Sequence, residues 1–355
     1  AGFTKSETTQ TVTEAGGTDT FTLVLDAQPA TDVVLSVVSA DTGEVTVSAA
    51  TFTFTSSNWD TAQTVTLTGI DDSVIDADTT TTVTVSVVDA SSDDNFDSVA
   101  DQTVTVTTTD NDTAGFTKSE TALTVTEAGT TATFTLVLDA QPGSNVTIEI
   151  SASDTTEAVV VQSSAVFTSS DWDATQQIVV IGVNDDYDDS DKESSITLSI
   201  KDSESDDNFD ALADQTVTVT TTDNDTAGFT KSQTALTVTE AGATAAFTLV
   251  LDAQPDSDVV LSVVSADTGE ATVGTANYTF TSSNWNIAQV AVIQGVDDSL
   301  VDVDTTTTVT VSVVDASSDD NFDSVADQTV TVTTTDNDTA GFTKSETTQT
   351  VTEAG

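Results

Sequence analysis

Carboxylates are the one kind of reactive side chain this sequence supplies in quantity, and they return at fixed places. The stretch TTTDNDTAGFTKS sets Asp110, Asn111 and Asp112 side by side, and it returns with Asp223, Asn224 and Asp225 and again with Asp336, Asn337 and Asp338. Each copy falls 113 residues after the last. Such a run offers oxygen ligands only, the donor set of a hard cation. A period of that length is too long for a solenoid unit and matches one small domain, so the stretch marks the seam between like domains.

Stepping from seam to seam divides the chain into repeats at 1–113, 114–226 and 227–339, with 340–355 as the first strand of a fourth. Residues 340–355 reproduce residues 1–16 letter for letter. A window cut from a longer array or a fibre is the expectation. Sixty acidic residues against six lysines give a formal charge of −54, which repels nucleic acid and anionic lipid and attracts cations. Without cysteine there is neither disulfide nor thiolate metal site. No apolar run reaches the roughly 20 residues of a membrane helix, so no membrane insertion is expected.

Seven strands are expected in each repeat. In the first they are A at Thr9–Thr13, B within TDTFTLVLD, C at Asp32–Ala40, D within VTVSAATFTFT, E within TAQTVTLTG, F within TTTTVTVSVVDA and G within QTVTVTTTD. Valine, leucine and phenylalanine alternate with threonine at period two, and turn signals recur about every 8 to 12 residues, which argues an all-β, two-sheet antiparallel sandwich. Trp59, Trp172 and Trp285, like Phe21, Phe134 and Phe247, return at the period and are expected to fill the core or plug a sandwich end.

When strands run alternately up and down, turns alternate between the two ends. The A–B, C–D and E–F turns and the exit of G then share one end. That end collects Glu14, Asp41, Glu44, Asp71, Asp72, Asp76, Asp78, Asp110 and Asp112. The acidic F–G loop, with Asp93, Asp94 and Asp97, lies at the other. Stacking the repeats head to tail turns Asp206, Asp207 and Asp210 towards the first repeat's acids, and likewise Asp319, Asp320 and Asp323 towards the second's. Carboxylates so crowded need a neutraliser, and almost no basic side chain is at hand. Several Ca2+ ions at the inter-repeat junctions are therefore expected, Mg2+ being less suited because it resists dehydration. A solvated acidic face is the plainer alternative; turn chemistry and strand parity together favour calcium.

TVTEAG, the acidic pair after strand E in GIDD, and TVTVTTTDND followed by AGF together resemble the Calx-beta domain family, with bacterial cadherin-like repeats as a near alternative. The resemblance covers nearly the whole of every repeat. It implies tandem immunoglobulin-like sandwiches that bind Ca2+ where strand G leaves. The implied ligands are Glu14, Asp41, Asp71, Asp72, Asp110 and Asp112 in the first repeat. In the second they are Glu127, Asp154, Asn184, Asp185, Asp223 and Asp225; in the third, Glu240, Asp267, Asp297, Asp298, Asp336 and Asp338. The sequence departs from the family pattern in three ways: asparagine sits at the centre of each terminal triplet, no glycine-rich pattern marks the C–D region, and Asn184 stands in place of an acid.

Threonine rows on F and G read as β-favouring outer faces. Two carboxylates would suffice for a glycosidase, yet the sequence holds no histidine and no inserted loop large enough to wall a cleft, so an enzyme is not expected. The expected role is an extracellular structural protein, a calcium-stiffened extended rod or fibre serving as a surface stalk or biofilm-matrix filament. Its partners would be calcium and neighbouring repeats of the same or of identical chains, joined covalently or by a lent terminal strand. Two other classes stand beside it: an adhesive module taking a glycan or cell-surface partner, and a calcium sensor.

Overall fold

The computed structural model describes residues 1–301 and 303–354. In the first repeat the strands are β1 (Phe3–Lys5), β2 (Thr9–Thr13), β3 (Thr18–Leu25), β4 (Val33–Ser39), β5 (Val45–Val47), β6 (Thr51–Phe54), β7 (Gln63–Gly69), β8 (Thr79–Val87) and β9 (Gln102–Thr109). They build a four-stranded sheet in the order β1-β3-β7-β5 and a five-stranded sheet in the order β2-β9-β8-β4-β6. The same nine recur as β10 (Phe116–Lys118) to β18 (Gln215–Thr222) and as β19 (Phe229–Lys231) to β27 (Gln328–Thr335), in the same sheet orders. The protein is thus three all-β, immunoglobulin-like sandwiches in tandem.

Period-two patterning produces this directly. Along β9, Val104, Val106 and Thr108 are buried while Thr103 and Thr105 face outward. Phe21, Leu23, Val65 and Leu67 from one sheet meet Leu35, Val83, Val85 and Val106 from the other, and each repeat closes its own core in this way. Trp59, Trp172 and Trp285 pack half-buried against those cores.

Nine strands stand where seven were expected because D divides and a short strand, β1, precedes A. β1 pairs with β3 in one sheet, and β2 crosses to lie parallel with β9 in the other. Likewise β5 pairs with β7 and β6 with β4. A phase slip in the buried positions accompanies each crossing: Phe3 against Val12, and Val45 against Phe52 and Phe54. The A–G pairing is therefore the parallel one among otherwise antiparallel neighbours of the first repeat.

Consecutive repeats touch through the loop after β7. Ser73 O accepts from Gln141 N at 2.7 Å, Val74 pairs with Gln141, and Ile75 packs on the second repeat's core. At the next junction Asp186 O accepts from Gln254 N at 2.6 Å, and Tyr187 pairs with Gln254 and accepts its amide through the hydroxyl at 2.6 Å. Asp188 accepts from Ala227 N at 2.6 Å and, through its carbonyl, from Asn321 Nδ2 at 2.8 Å. Residues 340–354 carry no strand.

One glycine brings the acidic loops together. At Gly69 a Cβ would collide with the carbonyl oxygen of Thr13, so only glycine lets the end of β7 press against the end of β2, one residue from Glu14. Gly182 and Gly295 stand in the same relation to Thr126 and Thr239. Gly182→Ala is expected to destabilise the second repeat by about 2 kcal/mol or more in denaturant unfolding. Gly274→Ala, whose new methyl would meet Val292 O at an ordinary 3.5 Å, should leave the third nearly unchanged.

Candidate metal centres

At the end where β9 leaves the sandwich, two groups of carboxylates assemble in the first repeat. Glu14, Asp110 and Asp112 form one, and Glu44, Asp72 and Asp76 the other. Within each group the ligand atoms lie no more than 4.8 Å apart. Glu127, Asp223 and Asp225 with Glu157, Asp185 and Asp189 repeat the pair in the second sandwich, and Glu240, Asp336 and Asp338 repeat the first group in the third. The sequence counterpart of Asp76 in the third repeat is position 302, outside the described residues.

Backbone N–H groups of the turns hold these side chains, through one oxygen of Asp72 and both of Asp110. Asp110 Oδ1 accepts from Asp112 N at 2.7 Å, and its Oδ2 takes Ala77 N at 3.1 Å, where the chain turns through a positive φ of 63°. Asp72 Oδ1 accepts from Val74 N at 2.7 Å. Asp78 Oδ1 receives Asp110 N at 3.3 Å and so ties the E–F loop to the exit of β9. The same bonds recur in the second repeat through Asp223, Asp185 and Asp191.

Burial is what makes the groups unusual. Glu14, Glu127 and Glu240 are 1%, 2% and 3% exposed. Glu14 Oε2, Glu44 Oε2, Asp112 Oδ2, Glu157 Oε2, Asp189 Oδ1 and Asp338 Oδ2 are buried without a hydrogen-bond partner. Loss of water, reinforced by Asp72, Asp110 and Asp76, pushes the Glu14 carboxyl up to about 7. Burial first, then neighbouring charge, also raises Glu44, Asp76, Asp112, Glu127, Glu157 and Asp225. Because Asp76 acts on both Glu14 and Glu44, and Glu127 acts on Glu157, the two groups form one electrostatic unit. Two like charges at such separations repel by about 3 kcal/mol at an effective dielectric constant near 20. Three pairwise terms per group are comparable with the whole stability of a small domain.

Of the sequence-derived ligands, Glu14, Asp72, Asp110 and Asp112 lie in the groups, with Glu127, Asp185, Asp223, Asp225, Glu240, Asp336 and Asp338. Asp71 is exposed at the margin and raises Asp112, while Asp297 accepts from Asn337 Nδ2 at 3.2 Å and Asn184 from Asn224 Nδ2 at 3.4 Å. Asp298 receives Leu300 N at 2.7 Å, the bond that Asp72 makes to Val74. The carboxylates of Asp41, Asp154 and Asp267 close their own turns, on Gly43, Thr156 and Gly269.

The F–G acids do not join the groups of the preceding repeat among the described residues. Asp93, Asp206 and Asp319 turn inward to clasp their own repeat: Asp93 receives Ala30 N, Thr31 N and both the N and Nδ2 of Asn95, and these donors hold it down at about 2. Asp206 and Asp319 make the corresponding bonds to Ser144 and Ser257. Asp207, Asp320 and Asp323 are exposed, and Asp210 is raised by burial and by acids of its own repeat.

Glu44, Glu157, Asp76 and Asp189 are members that the family resemblance did not bring in. Their signal was recurrence: Glu44, Glu157 and Glu270 return at the period just before the same strand. The central asparagine of each triplet works as a donor. Asn224 gives both its N, at 3.1 Å, and its Nδ2, at 2.9 Å, to Glu127 Oε2, and Asn337 N gives to Glu240 Oε2 at 3.2 Å.

No protein-family profile matches the sequence, and no curated protein matches it. Among solved structures the fold is similar to CBD12 from CALX1.2, at 14% identity and a TM-score of 0.27 over 61% of this chain and 99% of that one. It is similar to the calcium-binding domain CBD12 of CALX1.1, at 15% identity and 0.26 over 56% and 78%. Domains 4–9 of the surface-layer protein SbsC align over 93% of this chain and 49% of their own length, at 16% identity and 0.25. Likeness at this level bears on neither ligand nor role.

Unfolded, a glutamate loses its proton near 4.5, whereas folded Glu14 keeps it to about 7. Between those values the folded state binds the extra proton, so the metal-free repeat loses stability as pH rises through the window, by about 3 kcal/mol for Glu14 alone. Denaturant unfolding in chelator is expected to show a lower midpoint at about pH 8 than at about pH 5. Glu14→Gln should flatten that slope in the first repeat.

Proposed function

We propose that the chain is an extracellular structural array of Calx-beta type, in which Ca2+ held by each repeat's exit end stiffens a rod of sandwiches. The observation that carries this reading is the set of buried carboxylate oxygens without partners, gathered in threes. All-oxygen donors with no histidine or cysteine suit Ca2+, and the groups that would hold it are those of Glu14 and Glu44 with their repeats. When bound, the ion supplies the positive charge that six lysines cannot.

The chain's own residues explain how binding would reach the joint. Asp72 and Asp76 flank Ser73, Val74 and Ile75, the residues that touch the second repeat. Asp185 and Asp189 flank Asp186, Tyr187 and Asp188 in the same way. A loop fixed at its acids presents its intervening residues in one position; a loop whose acids repel one another does not. Spacing and regular geometry fit the near-identity of the first and third repeats and the lack of insertion or deletion against the second, and no helix among the described residues is long and apolar enough to cross a membrane.

Small-angle scattering with millimolar calcium and then with chelator tests the reading. The expected result is an extended, stiff particle that becomes flexible when calcium is removed. Glu157→Gln combined with Asp189→Asn should lower calcium affinity in the second repeat by about tenfold or more and loosen the joint to the third. An equally stiff particle in chelator, or no calorimetric calcium binding, would refute it. A sensor would instead show a bound-state change confined to one site.

A further inference from the structure

The outer face of one sheet is apolar in the third repeat where threonines cover it in the first. In the four-stranded sheet of the third repeat, β25 (Gln289–Gly295) turns Val290 and Val292 outward, 56% and 38% exposed. They lie opposite Thr248 and Ala246 of β21 (Thr244–Leu251), and Ala246 is itself exposed. Ile287, in the turn that enters β25, is 59% exposed. The first repeat has Thr64, Thr66, Thr20 and Thr61 where the third has Val290, Val292, Ala246 and Ile287. A lone exposed valine is ordinary on a protein surface, whereas adjoining ones mark a contact.

Charge has left the same region. Glu7 and Asp60 of the first repeat are replaced by Gln233 and Asn286. Gln233 follows Ser232, whose N–H donates to Thr248 O at 3.0 Å, and Asn286 precedes Ile287. Lys231, in β19, and Asp252, which accepts from Thr230 Oγ1 at 2.8 Å, stand at the β19 margin of the sheet, one of each sign. By contrast, residues 304–339 are identical to 78–113, so the difference between the two repeats does not extend to their last two long strands. Stacking of repeats does not cover this face either. The second repeat has a neighbour on each side, yet its counterparts Ala174 and Gln177 are exposed and Val179 is partly so.

We infer that two copies of the chain associate side by side through this face, the third repeat of one against the third repeat of the other about a two-fold axis. A polypeptide with a formal charge of −54 repels its own copies, and the repulsion is least where the approaching surfaces carry no charge. A two-fold contact sets one patch against itself, so Val290, Val292 and Ala246 meet apolar side chains, and the opposite signs of Lys231 and Asp252 make the margin self-complementary. A patch this small belongs at the weak end of protein association, so the pair forms at high concentration and separates on dilution. Salt strengthens it, because the long-range repulsion is screened while the apolar contact is not.

This contact does not rest on the calcium reading, and its test is made in chelator. Sedimentation at high salt is expected to show the 36.5 kDa monomer giving way to dimer as concentration approaches the millimolar range, and less dimer at low salt. Ile287→Thr, Val290→Thr and Val292→Thr together restore side chains that the folded first repeat already carries, and should weaken association by about tenfold or more. In this cysteine-free chain, Ala246→Cys should give a disulfide-linked dimer on oxidation, whereas Thr20→Cys, at the same position in the first repeat, should give none. Monomer at every concentration, undiminished association of the threonine variant, or an equal disulfide dimer from Thr20→Cys would each overturn the proposal. Monomer in solution together with binding to phosphatidylcholine vesicles that the threonine variant lacks would overturn it as well, and would give the face to lipid. With chelator present throughout, none of these outcomes bears on calcium stiffening.

Discussion

Repulsion among carboxylates that the fold itself forces together is the constraint on which this architecture turns. Glu14 sits at the end of β2, Asp110 and Asp112 at the end of β9, and the two strands run parallel as neighbours, so both deliver their acids to one end. Strand pairing settles this placement, because Thr13 lies opposite Thr109 and the next residue of each strand is acidic. Sequestering a glutamate to 1% exposure beside two other acids is unfavourable by several kcal/mol if all stay ionised. Cores of valine, leucine and phenylalanine in each repeat offset that cost.

Backbone amides share the load. Asp72 and Asp110 each give one oxygen to an N–H two residues on, and Asn224 donates twice to Glu127. These bonds neutralise part of the charge and fix the direction of the remaining oxygens. Asp93 shows the contrasting outcome: with four donors on one carboxylate it is satisfied, and its loop becomes a structural clasp. Two acidic loops of similar composition thus differ in kind because one meets amides and the other meets acids.

Strand positions were legible because threonine and valine alternate without interruption, and the end of the sandwich that collects acids was legible from turn parity. Which acid inside a turn reaches the group was not. Asp41 and Glu44 lie three residues apart in one turn; Asp41 bends back on Gly43 N, leaving Glu44, adjacent to β5, to face Asp72. The crossings of A and D between sheets were written as phase slips, Val45 to Phe52 being an odd step, but a window that joins Val45 to Phe54 into one strand averages the slip away. The F–G acids misled through composition alone, since nothing in DDNFD distinguishes a clasped aspartate from a free one until Ala30 and Thr31 arrive from a distant turn.

Stability and shape are governed at different places in this chain. Each repeat closes its own hydrophobic core, and the joints consist of a short bridge, a few hydrogen bonds and single apolar contacts such as Ile75. Interfaces so small leave relative motion as the default. One pairwise term among the acids flanking Ser73–Ile75 amounts to a few kcal/mol. In the function proposed above, core substitutions act on whether a repeat is folded, while charge beside the joint acts on where the next repeat points. Placing the acids in the joint's own loop gives ionic conditions a hold on geometry, with the three cores left to keep each sandwich intact.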